Sequence, residues 1–260
     1  MTALCLAILW KAAVGQDAFT FASTAGGQPG LQIAGPGAAP TIQLSSKDLP
    51  GVIRAANDLA GDFGRVLGTN ATISTSSTLP TANSKPAIIV GTIGSSDVID
   101  QLISAKLVDV SSIKGKWETF VSQVVSDASG KPYALAIAGS DMRGTIFGIY
   151  DISEQIGVSP WVWWADVAPK KQSYIFAPTA AKAVGPPSVK FRGIFFNDEA
   201  PALTNWANGN FAKSQYGNPF TSGFYSKVFE LVLRLKANYV WPAMWNGKVA
   251  EACNEEYAKC

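Results

Sequence analysis

Between residues 50 and 67, apolar side chains return every third or fourth position: Ile53, Ala56, Leu59, Ala60, Phe63 and Leu67. That spacing lays them along one face of an α-helix. Pro50 opens the stretch and Gly68 follows it. Proline suits a first turn whose N–H has no partner, and glycine tolerates the left-handed turn that closes a last one. Ala87-Ile88-Ile89-Val90-Gly91 is a different pattern, a short unbroken apolar run, and predicts a buried strand. Thr41–Leu44 predicts another. A helix is expected over 97–106, and two strands over 119–125 and 133–138. The polar turn Asp127-Ala128-Ser129-Gly130 between them makes a hairpin. A second amphipathic helix runs from about Arg143 to Ile156, with Ile146, Ile149, Tyr150 and Ile156 on its stripe. Asp141 can cap its start and Gly157 ends it. Residues 23–40, rich in Gly, Ala and Pro, and the polar residues 69–85 read as loops. Residues 19–180 thus predict a mixed α/β domain with a sheet of four or five strands.

Ala183-Val184-Gly185-Pro186-Pro187 is a Pro/Gly linker and the best domain boundary, after an N-terminal domain of 16–182. Past it the rhythm changes. A strand over 190–197 ends in Asn197-Asp198-Glu199. A helix over 224–236 carries Phe224, Val228, Leu231, Val232 and Leu235 on one face, with Glu230 and Arg234 as an exposed i,i+4 pair. Another strand covers 238–241. Strand, loop, helix, strand is the opening of a parallel βα array.

Composition narrows the chemistry. The chain has 260 residues, 47% hydrophobic and 15% charged, which suits a globular protein with a real core. Its net charge of +2 gives no field that points to nucleic acid or a membrane surface. It has no histidine, which excludes a Ser-His-Asp or Cys-His pair and a His-ligated metal within the chain. No metal or cofactor is expected. Residues 1–15 read as a signal peptide: an apolar stretch from Ala3 to Trp10, then small residues at Ala13-Val14-Gly15. No basic residue precedes the stretch, so a buried N-terminal helix stands as the alternative. Cys253 and Cys260 are close enough in sequence to pair in an oxidising compartment. Asn70-Ala71-Thr72 is a glycosylation sequon. These features together predict a secreted protein.

Asn197-Asp198-Glu199 is the leading site candidate, because two adjacent carboxylates close an apolar strand. In βα barrels the C-terminal ends of strands carry the active site. The alternative is that one carboxylate caps the next loop and the other pairs with Arg192 or a lysine. Trp241-Pro242-Ala243-Met244-Trp245 closes the next strand, and its indoles suit either a sugar platform or interdomain packing. For the run Pro160 to Val167, with Trp161, Trp163 and Trp164, packing between domains is the better reading, because so much apolar area is costly to leave wet. Gly139-Ser140-Asp141-Met142-Arg143-Gly144 can offer amide N–H groups and Arg143 to an anion, although a tight turn with a helix cap is the better reading. Gly91-Thr92-Ile93-Gly94 lacks the glycine spacing of a nucleotide-binding turn.

The segment Phe191-Arg192-Gly193-Ile194-Phe195-Phe196-Asn197-Asp198-Glu199-Ala200-Pro201 resembles glycoside hydrolase family 115. So do residues 224–231, the stretch from Leu235 to Trp245, and upstream the residues 139–150 and 160–167. The resemblance runs from about 30 to 246. It implies a secreted α-glucuronidase that removes 4-O-methylglucuronic or glucuronic acid from xylan with inversion. It also implies an α/β fold: an N-terminal mixed-sheet α/β domain, then the first strands and helix of a (β/α)₈ barrel over 188–246. By that resemblance Asp198 touches substrate or positions water, with Glu199 in support. Asn197, Trp241, Trp245 and Arg143 are the expected substrate contacts. The expected partner is glucuronoxylan, with no nucleic acid and no membrane; a dimer is compatible with full-length members. Residues 247–260 depart from the family pattern and read as a divergent tail. A (β/α)₈ barrel needs about 200–250 residues, far more than follow the linker. The chain is therefore expected to hold an incomplete barrel and to be inactive alone, with non-catalytic carbohydrate binding as the alternative.

Overall fold

The structure is a computed structural model and describes residues 18–22, 30–81, 87–214 and 217–242. The expected signal peptide, Trp245, Cys253, Cys260 and the tail over 247–260 lie outside the described residues.

The N-terminal region opens with two short strands, β1 (Thr20–Ala22) and β2 (Leu31–Ala34). Then come β3 (Thr41–Leu44), α1 (Pro50–Leu67), β4 (Thr72–Thr75), β5 (Ala87–Thr92), α2 (Asp97–Ser104), β6 (Phe120–Ser126), β7 (Pro132–Gly139) and α3 (Met142–Gln155). The strands β8 (Tyr174–Ala177) and β9 (Lys182–Val184) complete it. Six strands form one sheet in the order β4-β3-β5-β7-β6-β9, parallel from β4 to β7 and antiparallel beyond. A second sheet, β1-β8-β2, is antiparallel.

The core explains the layering. Ile88 and Val90 of β5 pack with α1 and α3, while Ala87 and Ile89 pack with α2. Successive strand residues point to opposite faces, so a strand covered on both sides must be apolar throughout. Every residue of β5 is buried accordingly. α1 has Pro50 in its first turn, and Gly68, at φ 83°, donates its N–H to the Gly64 carbonyl at 2.9 Å. α3 is buried along the whole run from Gly144 to Ser153, because it lies between the large sheet, α1 and a later helix. Gly144 permits this: a Cβ there would come within 2.2 Å of the Thr119 carbonyl oxygen.

Four expectations need correction. Residues 23–40 do not read as loop alone, because β2 lies within them and pairs with β8. The stretch 69–85 contains β4, a Thr/Ser-rich edge strand parallel to β3. The large sheet has six strands rather than four or five, and a separate three-stranded sheet accompanies it. Finally, Glu230 and Arg234 do pair, at 2.9 Å, but the pair is not exposed: the Arg234 side chain is 4% accessible.

The second region holds β10 (Gly193–Phe195), α4 (Leu203–Asn210), α5 (Ser222–Arg234) and β11 (Tyr239–Trp241). β10 and β11 are parallel, with Gly193 opposite Tyr239 and Phe195 opposite Trp241. On α5 the expected stripe is buried at Phe224, Val228, Leu231 and Val232, whereas Leu235 caps the helix and is open. Ile194 and Val240 lean on this cluster, which leaves the other face of both strands uncovered.

Aromatic and ionic contacts join the two regions. Trp164 lies stacked on Trp206 at 5.4 Å and edge-on to Phe224 at 5.9 Å, and its Nε1 donates to the Lys227 carbonyl. Arg234 donates to both carboxylate oxygens of Asp62 on α1, at 2.7 and 3.2 Å. Its guanidinium also lies 4.7 Å from the Tyr150 ring centre. Burial alone would lower the Arg234 pKa; Asp62 and Glu230 outweigh it and hold the group firmly charged. Beside it Tyr150 donates its hydroxyl to Asp58 at 2.6 Å. Burial pushes the Asp58 carboxyl above its ordinary range despite that bond.

Candidate active-site edge and its setting

Three residues long, β10 stops at Phe195, and one more backbone bond, from Phe196 N–H to the Trp241 carbonyl, keeps the chain beside β11. Beyond it strict alternation no longer applies, and the three candidates separate. Asp198 is buried, while Asn197 and Glu199 are exposed. The Thr204 hydroxyl donates to the Asp198 carbonyl oxygen, so the first turn of α4 holds this loop. Neither carboxylate is taken by Arg192. That guanidinium lies at the other end of β10, where it donates to Glu118 and to the Lys236 carbonyl.

Trp241 closes β11 on the open face. Its ring meets Phe195 edge-on at 5.8 Å, and both stay about half exposed. Aromatic faces left open beside polar groups suit the C–H faces of sugar rings. The C-terminal ends of the two parallel strands therefore combine an aromatic pair with Asn197, Asp198 and Glu199.

Arg143 stands elsewhere. It lies in the first turn of α3 and donates from Nε to Glu118 at 2.6 Å, at the N-terminal ends of β10 and β11. The amides of the Gly139–Gly144 turn have an internal partner: Asp141 accepts from Gly144 N–H at 2.7 Å and from Glu118 N–H at 2.8 Å. The turn-and-cap reading describes this local geometry. Asn70 is exposed at the entry to β4, next to Gly64. Trp163 and Trp164 fill the seam between the regions, while Trp161 remains 43% accessible. Among the described residues no group of three or more His, Cys, Asp or Glu is placed to hold a metal ion. Among them, too, no helix is long and apolar enough to cross a membrane.

Glu118 has no sequence signal of its own. Its side chain is fully buried and accepts from Arg143, from Arg192 and from Asn238 Nδ2 at 2.8 Å. Burial pushes this carboxyl up, but the bonds from Asn238, Arg192 and Arg143 outweigh it and hold it below the usual range. Its backbone, at φ 51°, occupies the left-handed region, which a non-glycine residue enters only when its surroundings hold it there.

The family model for glycosyl hydrolase family 115 matches residues 184–260. Among solved structures, the chain is similar to a family GH115 4-O-methyl-α-glucuronidase, BtGH115A, described as having specificity for decorated arabinogalactans. Identity is 37%, the TM-score 0.66, and the match covers 88% of this chain and 26% of that one. The chain thus spans about a quarter of that relative's length. It is also similar, at 11% identity and TM-score 0.44, to a Streptomyces plicatus β-hexosaminidase, over 82% of this chain and 31% of that one. No curated protein sequence matches it. With the match extending over both regions at 37% identity and the family model covering the β10–β11 unit, the chain belongs to glycosyl hydrolase family 115.

Proposed function

We propose that this chain is the N-terminal part of an inverting α-glucuronidase that removes 4-O-methylglucuronic or glucuronic acid side groups from a polysaccharide. The observation that carries the reading is Asp198, buried just past the C-terminal end of β10, in a chain 37% identical to a 4-O-methyl-α-glucuronidase. In a (β/α)₈ barrel that end of the strands faces substrate. Inversion needs one carboxylic acid to protonate the leaving oxygen and one carboxylate to take a proton from water, about 6.5–9.5 Å apart. Water oxygen bonds to C1 as the C1–O glycosidic bond breaks, and the leaving oxygen gains its proton from the acid. Asp198 contacts substrate or orients the water, Glu199 and Asn197 support it, and Trp241 with Phe195 offers the sugar a face. The complementary carboxyl group comes from another strand.

Xylan is the expected polymer. The described specificity of the relative for decorated arabinogalactans makes such a polymer the second substrate to try. Either is extracellular, in keeping with the secretion expected from the sequence.

The test is to incubate the chain with glucuronoxylan and with a glucuronic acid-decorated arabinogalactan and to measure released uronic acid. Release of the β-anomer first, lost on Asp198→Ala, supports the enzyme reading, although no turnover is expected from this chain alone, because the complementary carboxyl group comes from another strand. Binding of the polymer without release favours a non-catalytic carbohydrate-binding module, a reading to which the open Phe195–Trp241 pair lends weight. The proposal falls if the chain neither binds nor cleaves either polymer.

A further inference from the structure

At the N-terminal ends of β10 and β11, opposite Asn197–Glu199, lies a cavity of about 400 Å³ lined by Trp117, Glu118, Arg143, Lys190, Phe191 and Asn238. Two of these six residues, Trp117 and Phe191, are aromatic. Trp117 and Phe191 are 37% and 70% accessible, with Lys190 Nζ 5.5 Å from the Phe191 ring centre and the Arg192 guanidinium 6.0 Å from that of Trp117. Its charge is one-sided. Lys190 and Arg143 are exposed there, and Lys116 is exposed next to Trp117 in the chain. The single carboxylate among the described lining residues, Glu118, is buried and already accepts from Arg143, Arg192 and Asn238. Those bonds also fix the wall, because Glu118 ties the loop before β6 to the residues that start β10 and β11.

From this arrangement we infer that the cavity is a second saccharide subsite, one that takes a uronic acid residue of the polymer away from the β10–β11 C-terminal edge. The ring lies against Trp117 or Phe191, and its carboxylate meets Lys190 and Arg143. Aromatic faces take the C–H face of a sugar, cations take its carboxylate, and no free acid among the described lining residues repels it. The volume accommodates a sugar unit. A site at the far end of the strands adds to polymer affinity by holding the chain while the other end searches, without competing for the same residue. The inference rests on the glycan reading above for its ligand class, and the residues that carry it are different.

Isothermal titration separates the two. The probes are a xylo-oligosaccharide bearing one glucuronic acid, its unsubstituted counterpart, and a short polyglutamate. They are titrated into the full chain and into an Asp198→Ala/Trp241→Ala variant that silences the other end. Residual binding of the acidic oligosaccharide by that variant is expected, about tenfold tighter than the neutral one. Adding Trp117→Ala or Lys190→Gln weakens it about fivefold or more, and Lys190→Arg restores most of the loss. These side chains are exposed, so the fold should survive; thermal melts monitored by circular dichroism check it. If the double variant binds nothing while the unaltered chain still binds, or if Lys190→Gln and Trp117→Ala leave the residual binding unchanged, the inference falls and the glycan reading stands. Tighter binding of polyglutamate also overturns it. Loss of all saccharide binding in the unaltered chain defeats both.

Discussion

Parallel strands occur in both regions of the chain, and they are buried differently. β5 is inaccessible from Ala87 to Thr92, with helices on both its faces. β10 and β11 bury one face against α5 and leave Phe195, Tyr239 and Trp241 open on the other. A strand covered on both sides spends its side chains on stability, whereas a strand with one open face can present them to a ligand. On the proposed function, the contrast separates scaffold from candidate site within one chain, and it is the reason the proposed chemistry is placed beside β10 rather than at the end of β5.

Substitutions can break or sharpen this contrast. The largest loss is expected in the N-terminal core: Phe63→Ala, at a fully buried position on α1, should cost about 3–5 kcal/mol in a denaturant titration. Arg234→Met comes next. It leaves Asp62 buried without its main cation and should cost about 3 kcal/mol. Because that pair joins α1 to α5, the variant should also split a single unfolding transition into two. A single transition would mean that the aromatic seam at Trp164 suffices. Asp141→Ala removes the cap that holds both Gly144 and Glu118 and should cost about 1–2 kcal/mol.

Two carboxyls give opposite responses to pH. Glu118 lies below its ordinary 4.5, so its contribution is present above that value and is lost as pH falls through the lower folded one. Asp58 lies above its ordinary 3.8, so it costs stability once pH rises past 3.8, fully above its folded value. Glu118→Gln should therefore destabilise at neutral pH and matter less in acid. Asp58→Asn, which keeps an acceptor for Tyr150, should stabilise at neutral pH and converge with the parent in acid. Equal denaturation midpoints across that range would refute the assignment. The smallest stability effect belongs to the open face: Phe195→Ala should change stability by about 0.5 kcal/mol or less while weakening saccharide binding. A loss comparable to that of Phe63→Ala would show the face to be core after all.

Much of this was legible locally. α1 begins at Pro50 and ends at Leu67 as its spacing predicts, since each signal acts within one helical turn. The cap at Asp141 and the hairpin of β6 and β7 are equally short-range. β2 was hidden because its partner β8 lies far along the chain, and four residues among Gly, Ala and Pro carry little strand signal on their own. The candidate site residues followed the same division. Asn197, Asp198 and Glu199 could be named from the way an apolar run ends in acids, but that only Asp198 is buried depends on the turn after β10 and on Thr204. Arg143 could be named as a cation beside a glycine turn, yet its carboxylate partner is 25 positions earlier in the chain.

By itself, then, the amino-acid order determined α1, α2, α3 and α5, the buried central strand and the family motifs, because these are written in side chains a few positions apart, whereas α4 lay in a stretch read as loop. Tertiary structure alone decided that Glu230–Arg234 is buried rather than exposed, since Asp62 meets Arg234 across 172 positions. It also decided which strand face stays open and that Glu118 gathers three donors from distant segments. The reason is physical: periodicity marks which side of an element is apolar, but what covers that side is set by chain segments whose contact costs loop-closure entropy and leaves no local trace.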